Sequence, residues 1–283
     1  MKICVASGKG GTGKTTVATS LAASYGEKIQ LADCDVETPN AGIFFDDSGR
    51  DEENVSLFIP GIDLTKCTGC KECERICRYN ALAVVLKSVI VFPELCHSCK
   101  GCLYICPENA IYEKEKLIGK ITTEKIDNNI TLVSGILKTG ETSSPRLIDK
   151  VQQKLDKETH SIIDSPPGTS CPAVEAMKES DYVILVTEPT PFGLSDLELA
   201  VETARLLEKP CGIIVNKNMP EVDIIQKYAQ KEGVPILMEI PYSRELAKDY
   251  SMGNLVVQTR KELMEEFKTT LENIIRKNEE AAI

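Results

Sequence analysis

The chain has 283 residues, 42% apolar and 27% charged, with a formal net charge of −10, twelve cysteines and no tryptophan. That apolar share supports a sizeable core and excludes a disordered chain. An acidic chain without a long basic run is ill suited to wrap DNA or coat an anionic membrane, and aromatics at 5% leave few platforms for stacking bases.

The first element is a strand at Ile3–Ala6. The start Met1-Lys2-Ile3-Cys4-Val5-Ala6-Ser7 reads as that strand and not as a signal peptide, so the cysteines are expected in a reducing cytoplasm and not in a disulfide scaffold. The strand runs into Gly8-Lys9-Gly10-Gly11-Thr12-Gly13-Lys14-Thr15, and from Lys14 to Tyr25 the sequence becomes helical, rich in Ala and Leu. Strand, glycine loop and helix form the context that makes this run a phosphate-binding loop. Backbone N–H groups from Gly10 to Lys14 face phosphate oxygens, aided by the helix N-terminus where Thr16 follows. Lys14 is predicted to reach the β- and γ-phosphates and Thr15 to ligate Mg²⁺, so ATP and Mg²⁺ are the expected cofactors.

A second strand, Ile29–Ala32, is followed by Asp33-Cys34-Asp35. Either aspartate could serve a nucleotide or simply cap a turn. Between about Pro60 and Lys116 the pattern changes. Cys67, Cys70, Cys73 and Cys77 read C-x2-C-x2-C-x3-C, and Cys96, Cys99, Cys102 and Cys106 repeat that spacing 29 residues later. Asn80-Ala81 and Asn109-Ala110 extend the repeat. This is the ferredoxin run for a cubane cluster, in which the fourth cysteine ligates the other cluster. The predicted ligand sets for two 4Fe-4S clusters are therefore Cys67, Cys70, Cys73 with Cys106, and Cys96, Cys99, Cys102 with Cys77. Zinc is the competing metal for four thiolates. One departure is that Pro107 follows Cys106 while Arg78 follows Cys77. His97 occupies a spacer position and reads as an ordinary exposed residue, as does His160. So short a segment has little core of its own and needs its metal. A small α+β two-cluster domain at 61–116 is expected inside a discontinuous ATPase domain of 1–60 and 117–283.

Beyond the insert, strand-like runs at Ile130–Ser134, Ser161–Asp164, Tyr182–Val186 and Gly212–Val215 alternate with helical patterns at Leu194–Glu208 and Val222–Lys231. The predicted fold class is α/β, a parallel P-loop sheet with helices on both faces. Asp164 ends its strand and is followed by Ser165-Pro166-Pro167-Gly168; Val215-Asn216-Lys217 ends another. From Arg260 to Ile283 five basic residues face six acidic ones, and Leu263, Phe267, Leu271 and Ile274 share one helical face. That stripe is read as core packing, and stable membrane association is not expected.

With these motifs the chain resembles the MinD/ParA/nitrogenase-iron-protein group of ATPases with a deviant Walker A loop, throughout its non-cysteine part. It looks like MinD-superfamily proteins with an inserted ferredoxin domain, related to the Mrp-type iron–sulfur carriers; Val186 to Leu197 also looks characteristic. The resemblance implies that Lys9 reaches across a homodimer to the partner's nucleotide. It favours Asp35 over Asp33 as the catalytic carboxylate, assigns Asp164 to Walker B and Gly168 to switch II, and makes Asn216 an adenine contact. Cys4, Cys34 and Cys211 read as packing. Cys171 falls seven residues after Asp164, where the nitrogenase iron protein carries a cluster ligand, so a pair of Cys171 residues could hold metal across the dimer. No second cysteine between Lys116 and His160 completes such a site. The leading expectation is an ATP-gated donor of low-potential electrons to an acceptor metalloprotein. The alternative is a metallocluster assembly or carrier ATPase serving an apo-protein, and a positioning ATPase is third.

Overall fold

Short apolar runs become the middle of a sheet, and the charged runs between them become its edge and the helices. In the computed structural model, which describes residues 1–45 and 49–281, strands run at Lys2–Ala6 (β1), Ile29–Asp33 (β2), Arg50–Ile62 (β3), Leu82–Val85 (β4), Ser88–Val91 (β5), Ile111–Lys125 (β6), Ile130–Leu137 (β7), His160–Asp164 (β8), Tyr182–Thr187 (β9), Cys211–Asn218 (β10) and Ile236–Pro241 (β11). The chain divides into two units, Met1–Glu53 with Ile121–Ile136 and Ser144–Ile283, and Asn54–Lys120 with Leu137–Ser143. The sequence positions 46–48 and 282–283, assigned above to the ATPase domain, lie outside the described residues.

The first unit is built on a sheet of order β11-β10-β9-β1-β8-β2-β7-β6-β3. Every neighbouring pair from β11 to β7 is parallel. Ile3 to Ala6 on β1 are wholly buried, as a central parallel strand covered on both faces requires. The registers Val5↔Asp164 and Asp33↔Asp164 align the carboxyl ends of β1, β2 and β8. Ligands bind at that edge of open α/β sheets. Helix Lys14–Ser24 is buried along most of its length, and helix Lys261–Ala281 lays Leu263, Phe267, Leu271 and Ile274 into the same core. Each such side chain contributes roughly 1.5–3 kcal/mol on burial.

One helix start differs from the sequence reading for a local reason, and one strand start agrees with it for another. The helix expected from Leu194 begins at Pro191, because the Thr190 side chain accepts from the Gly193 N–H at 2.9 Å and Pro191 fills the first helical position. β6 turns back into β7 through Asp127, whose carboxylate accepts from the Asn129 and Ile130 N–H groups, both at 2.7 Å.

The second unit has a small apolar cluster of Cys73, Leu82, Val84, Cys102 and Ile111. β4 and β5 form an antiparallel hairpin, and helices Glu72–Ile76 and Gly101–Ile105 lie within the cysteine runs, carrying Cys73 and Cys102. The 29-residue repeat is present in the backbone. Lys71 and Lys100 have φ of 67° and 59°, and Asn80 and Asn109 have φ of 53° and 48°. Ala81 and Ala110 N–H groups each donate to the sulfur four residues earlier, Cys77 and Cys106, at 3.3 Å. The unit begins at Asn54 and includes the return segment Leu137–Ser143, where Glu141 pairs with Lys116 at 2.9 Å. The positions 61 and 116 fall inside it.

Candidate functional site

The loop from Gly8 to Thr15 closes at the carboxyl end of β1. Gly11 and Gly13 have φ of 78° and 95°, a left-handed geometry open to glycine. A Cβ on Gly13 would meet the Asn216 amide nitrogen at 2.3 Å, and one on Gly8 would meet the Asp196 carbonyl oxygen at 2.1 Å. At Gly8 and Gly13 the loop is thus pressed against its supports with no room for a side chain, while Gly11 faces open space. Gly10 is exposed, Thr15 and Thr16 are half-buried, and Lys14 is buried at the start of its helix. Burial pushes the Lys14 ammonium down, against the pull of Asp164 and Asp35.

The aspartates separate by role. Asp33 is fully buried and accepts backbone N–H bonds from Asp35 at 3.1 Å, Asn40 at 2.8 Å and Ala41 at 2.9 Å. Burial lifts its carboxyl to about 6 despite those bonds. Its acceptor capacity goes into shaping the loop after β2. Asp35 is half-buried; burial raises its pKa, while Lys14 and the Thr38 hydroxyl oppose that rise. Asp164 is 1% exposed and neither carboxylate oxygen has a hydrogen-bond partner, although the Thr15 hydroxyl approaches closely enough to favour the charged form. Burial, then the neighbouring Asp33, push Asp164 up to about 8. A buried carboxylate without a partner is costly, and a hydrated Mg²⁺ beside Thr15 would satisfy it. The Thr12 hydroxyl is also buried and unpartnered. These residues fit a magnesium–nucleotide.

Gly168, φ 88°, donates its N–H to the Ser7 carbonyl at 3.0 Å. Asn216 donates from its amide to the Thr12 carbonyl at 2.8 Å and accepts from the Lys217 N–H at 2.9 Å. It holds the loop and also lines a cleft with Gly13, Tyr242, Leu246, Tyr250 and Val256. Glu188 stands between two cations. Its carboxylate lies 3.9 Å from Lys9 Nζ and 2.6 Å from Lys217 Nζ, and Lys217 also donates to the Gly11 carbonyl at 3.4 Å. Lys9 is therefore engaged within its own chain.

In the second unit two cavities are walled by cysteines. Cys67, Cys70, Cys73 and Cys106 line one; Cys96, Cys99, Cys102 and Cys77 line the other. Each takes three thiols from one run and the fourth from the other. Among the described residues no three His, Cys, Asp or Glu side chains converge on a point suited to one metal ion; the thiols ring a space instead. Burial raises the Cys73, Cys96 and Cys102 thiols, Cys102 to about 11. Eight soft donors around two small, partly open cavities fit two iron–sulfur clusters, whose binding would deprotonate the thiols. His97 is exposed and stacks on Tyr79, with ring centroids 3.6 Å apart. His160, expected to be exposed, is half-buried at the start of β8 and packs edge-on against Tyr25.

Of the remaining cysteines, Cys4 and Cys34 are buried, and burial pushes their thiols well up. Cys211 is half-buried with its thiol also raised. Cys171 is exposed as the first residue of helix Cys171–Lys178.

A family model described as the CobQ/CobB/MinD/ParA nucleotide binding domain matches residues 3–256. The chain belongs to this family. It is a P-loop ATPase of the MinD/ParA type, for which ATP and Mg²⁺ are the expected ligands. Within the family's range of sequences, an uncharacterized protein of Methanocaldococcus jannaschii is 32% identical over 263 residues, covering 89% of this chain and 90% of its own. The iron-sulfur cluster carrier protein of the same archaeon is 25% identical over 301 residues, covering 98% of this chain and 85% of its own. The cell division ATPase MinD of Pyrococcus furiosus shares the fold, with a TM-score of 0.61 at 20% identity, covering 97% of this chain and 98% of that one. Among the described residues no helix is long and apolar enough to cross a membrane.

The sequence reading missed Glu188, and it missed Lys217 as a charged partner. Both lie in stretches singled out for other reasons, but an ion pair spanning 29 residues leaves no local signature.

Proposed function

We propose that this ATPase holds two four-iron clusters in its cysteine unit and couples a nucleotide-driven homodimer to electron delivery, passing low-potential electrons to an acceptor metalloprotein in the cytoplasm. The observation that carries the reading is the crossed pair of cysteine-walled cavities. Four thiolates from two interleaved runs retain a cluster, whereas a cluster in transit needs an open ligand position. A bound cluster supplies one-electron chemistry at a potential set by charge, hydrogen bonding and exposure.

In the ATPase unit, Lys14 and the loop N–H groups would bind the phosphates and the Thr15 hydroxyl would ligate Mg²⁺. Asp164 would hold a metal-bound water. Asp35 would orient the attacking water, since Asp33 is occupied by the loop it shapes. Gly168 would sense the γ-phosphate, and Asn216 would support both the loop and the base. Lys9 would leave Glu188 to reach a partner copy's nucleotide. Two exposed Cys171 side chains could then meet across that dimer, and Cys171→Ser should lower bound iron in the ATP-locked dimer only. The chain enters the cysteine unit at Asn54, soon after Asp35, which gives switch motion a covalent route to it.

The carrier reading is favoured by the iron-sulfur carrier relative at 25% identity. An anaerobic redox titration followed by electron paramagnetic resonance, with and without a non-hydrolysable ATP analogue, separates the two. A shift of about 60 mV in a one-electron potential, a tenfold change in equilibrium, supports electron delivery. Unchanged potentials, with iron moving quantitatively onto an apo-ferredoxin, would establish the carrier role instead.

A further inference from the structure

The carboxyl ends of β9 and β10 carry a charged pair that the reaction chemistry leaves without a task. The two strands are parallel neighbours with Thr187 opposite Val215, so Glu188 and Asn216 leave the sheet side by side. Between Val215 and Asn218, β10 has one residue more than β11, where the matching residues are Glu239 and Pro241. Such a bulge bends a strand and re-aims a side chain. Lys217 lies within it at φ 54°, a left-handed conformation that crowds the backbone of a lysine. Strain of this kind persists only where the surroundings hold it. Asn216 holds it on one side, accepting from the Lys217 N–H at 2.9 Å, and Glu188 on the other, 2.6 Å from Nζ.

Glu188 is itself fixed. Its carbonyl accepts from the Thr190 N–H at 2.8 Å, and a Cβ on Gly193 would meet that carbonyl oxygen at 2.2 Å, so the start of helix Pro191–Leu206 packs directly on it. Its side chain is only 16% exposed. A carboxylate on so rigid a turn can aim a flexible lysine. Lys217 then donates to the Gly11 carbonyl at 3.4 Å, while the Asn216 amide donates to the Thr12 carbonyl at 2.8 Å. In a trans peptide the C=O and the following N–H point to opposite sides. Holding the Gly11 and Thr12 carbonyls from β10 therefore turns the Thr12 and Gly13 N–H groups away from β10. Both belong to the set expected to bind phosphate oxygens.

We infer that Glu188 is a positioning residue for the phosphate loop, acting through Lys217 to fix the loop's carbonyls outward and its N–H donors toward the nucleotide. Donors set in advance bind an anion without first reorganising. The 2.6 Å contact to Lys217 is a charge-assisted bond, whereas Lys9 at 3.9 Å stands at the limit of ion pairing. The departure of Lys9 toward a partner copy, proposed above, would thus leave the clamp in place. The role belongs to nucleotide binding and stands whether or not the cysteine unit holds iron.

The test uses the full-length protein with Mg²⁺ and measures displacement of a fluorescent ADP analogue by ADP, by pyrophosphate and by adenosine. Glu188→Gln should weaken ADP and pyrophosphate about tenfold and leave adenosine unchanged, because only phosphates meet the two N–H groups. Removing a negative charge beside an anion site would by charge alone tighten phosphate, so the sign separates positioning from simple electrostatics. Lys217→Met should weaken pyrophosphate to a similar degree, and the double variant no further, since the two residues act as one unit. Glu188→Asp keeps the charge and should recover most of the loss. Unchanged or tighter pyrophosphate binding by Glu188→Gln would overturn the role. So would an equal loss for adenosine, or additive losses in the double variant. If the melting curve shows that Glu188→Gln does not fold, Lys217→Met decides, and full pyrophosphate affinity in that variant would overturn the clamp.

Discussion

The two units hold themselves together by different means. The ATPase unit surrounds its sheet with fully buried residues such as Ile3, Leu21, Leu31, Ile162 and Phe267. The cysteine unit has five buried residues in its own cluster, two of which are cysteines assigned as ligands. One fold is specified by apolar patterning, the other by donor spacing. The first should stand without metal, and the second only with it.

Withdrawing iron should have the most extensive structural effect. Limited proteolysis of apo-protein is expected to cut within Asn54–Lys120 about 100-fold faster than in holo-protein, while nucleotide binding survives. Equal protease resistance would erase the contrast between the units. Cys73→Ala should lower iron from about eight to about four atoms per chain. On the other side, Lys14→Ala should reduce ATP hydrolysis by about 10³-fold with full iron content, as read by phosphate release and iron assay.

Asp164 gives the ATPase unit a pH signature that the cysteine unit lacks. Its folded pKa of about 8 means that a proton occupies the carboxyl at neutral pH in the free protein. Mg²⁺ must displace that proton, so the affinity for Mg–nucleotide should rise about tenfold per pH unit up to about 8 and then level. Asp164→Asn should flatten the profile in a fluorescent-nucleotide titration. For stability of the free protein the sign is opposite: a carboxyl raised in the fold favours the native state at low pH, and this advantage is lost as pH rises toward about 8. The smallest effect is structural. Thr190→Ala removes the cap of helix Pro191–Leu206 and should cost about 1 kcal/mol, or roughly 2–4 °C in melting temperature, with no change in iron.

Much of the fold was legible because its information is local. The apolar runs at residues 3–6, 29–32, 161–164 and 182–186 lie within β1, β2, β8 and β9. β3 and β6 escaped notice because they begin or continue through charged stretches such as Asp51–Glu53 and Glu113–Lys116, and β11 because only alternate residues are buried. The phosphate loop was readable for the same reason as the strands. Asp33 was readable in part: capping a turn was one of its two readings, but its bonds to Asn40 and Ala41, seven and eight residues on, are not announced by residue types. Asn216 was read through the base it would meet, while the structure shows it bonded to Thr12, 204 positions away.

Chain order sets a timetable for synthesis. β1 leaves the ribosome first, yet its neighbours β8 and β9 begin at His160 and Tyr182. At about 5–20 residues per second, the P-loop strand waits roughly 8–36 s for them. The cysteine unit is translated during that wait, so its metal can arrive before the sheet that makes the nucleotide site has closed.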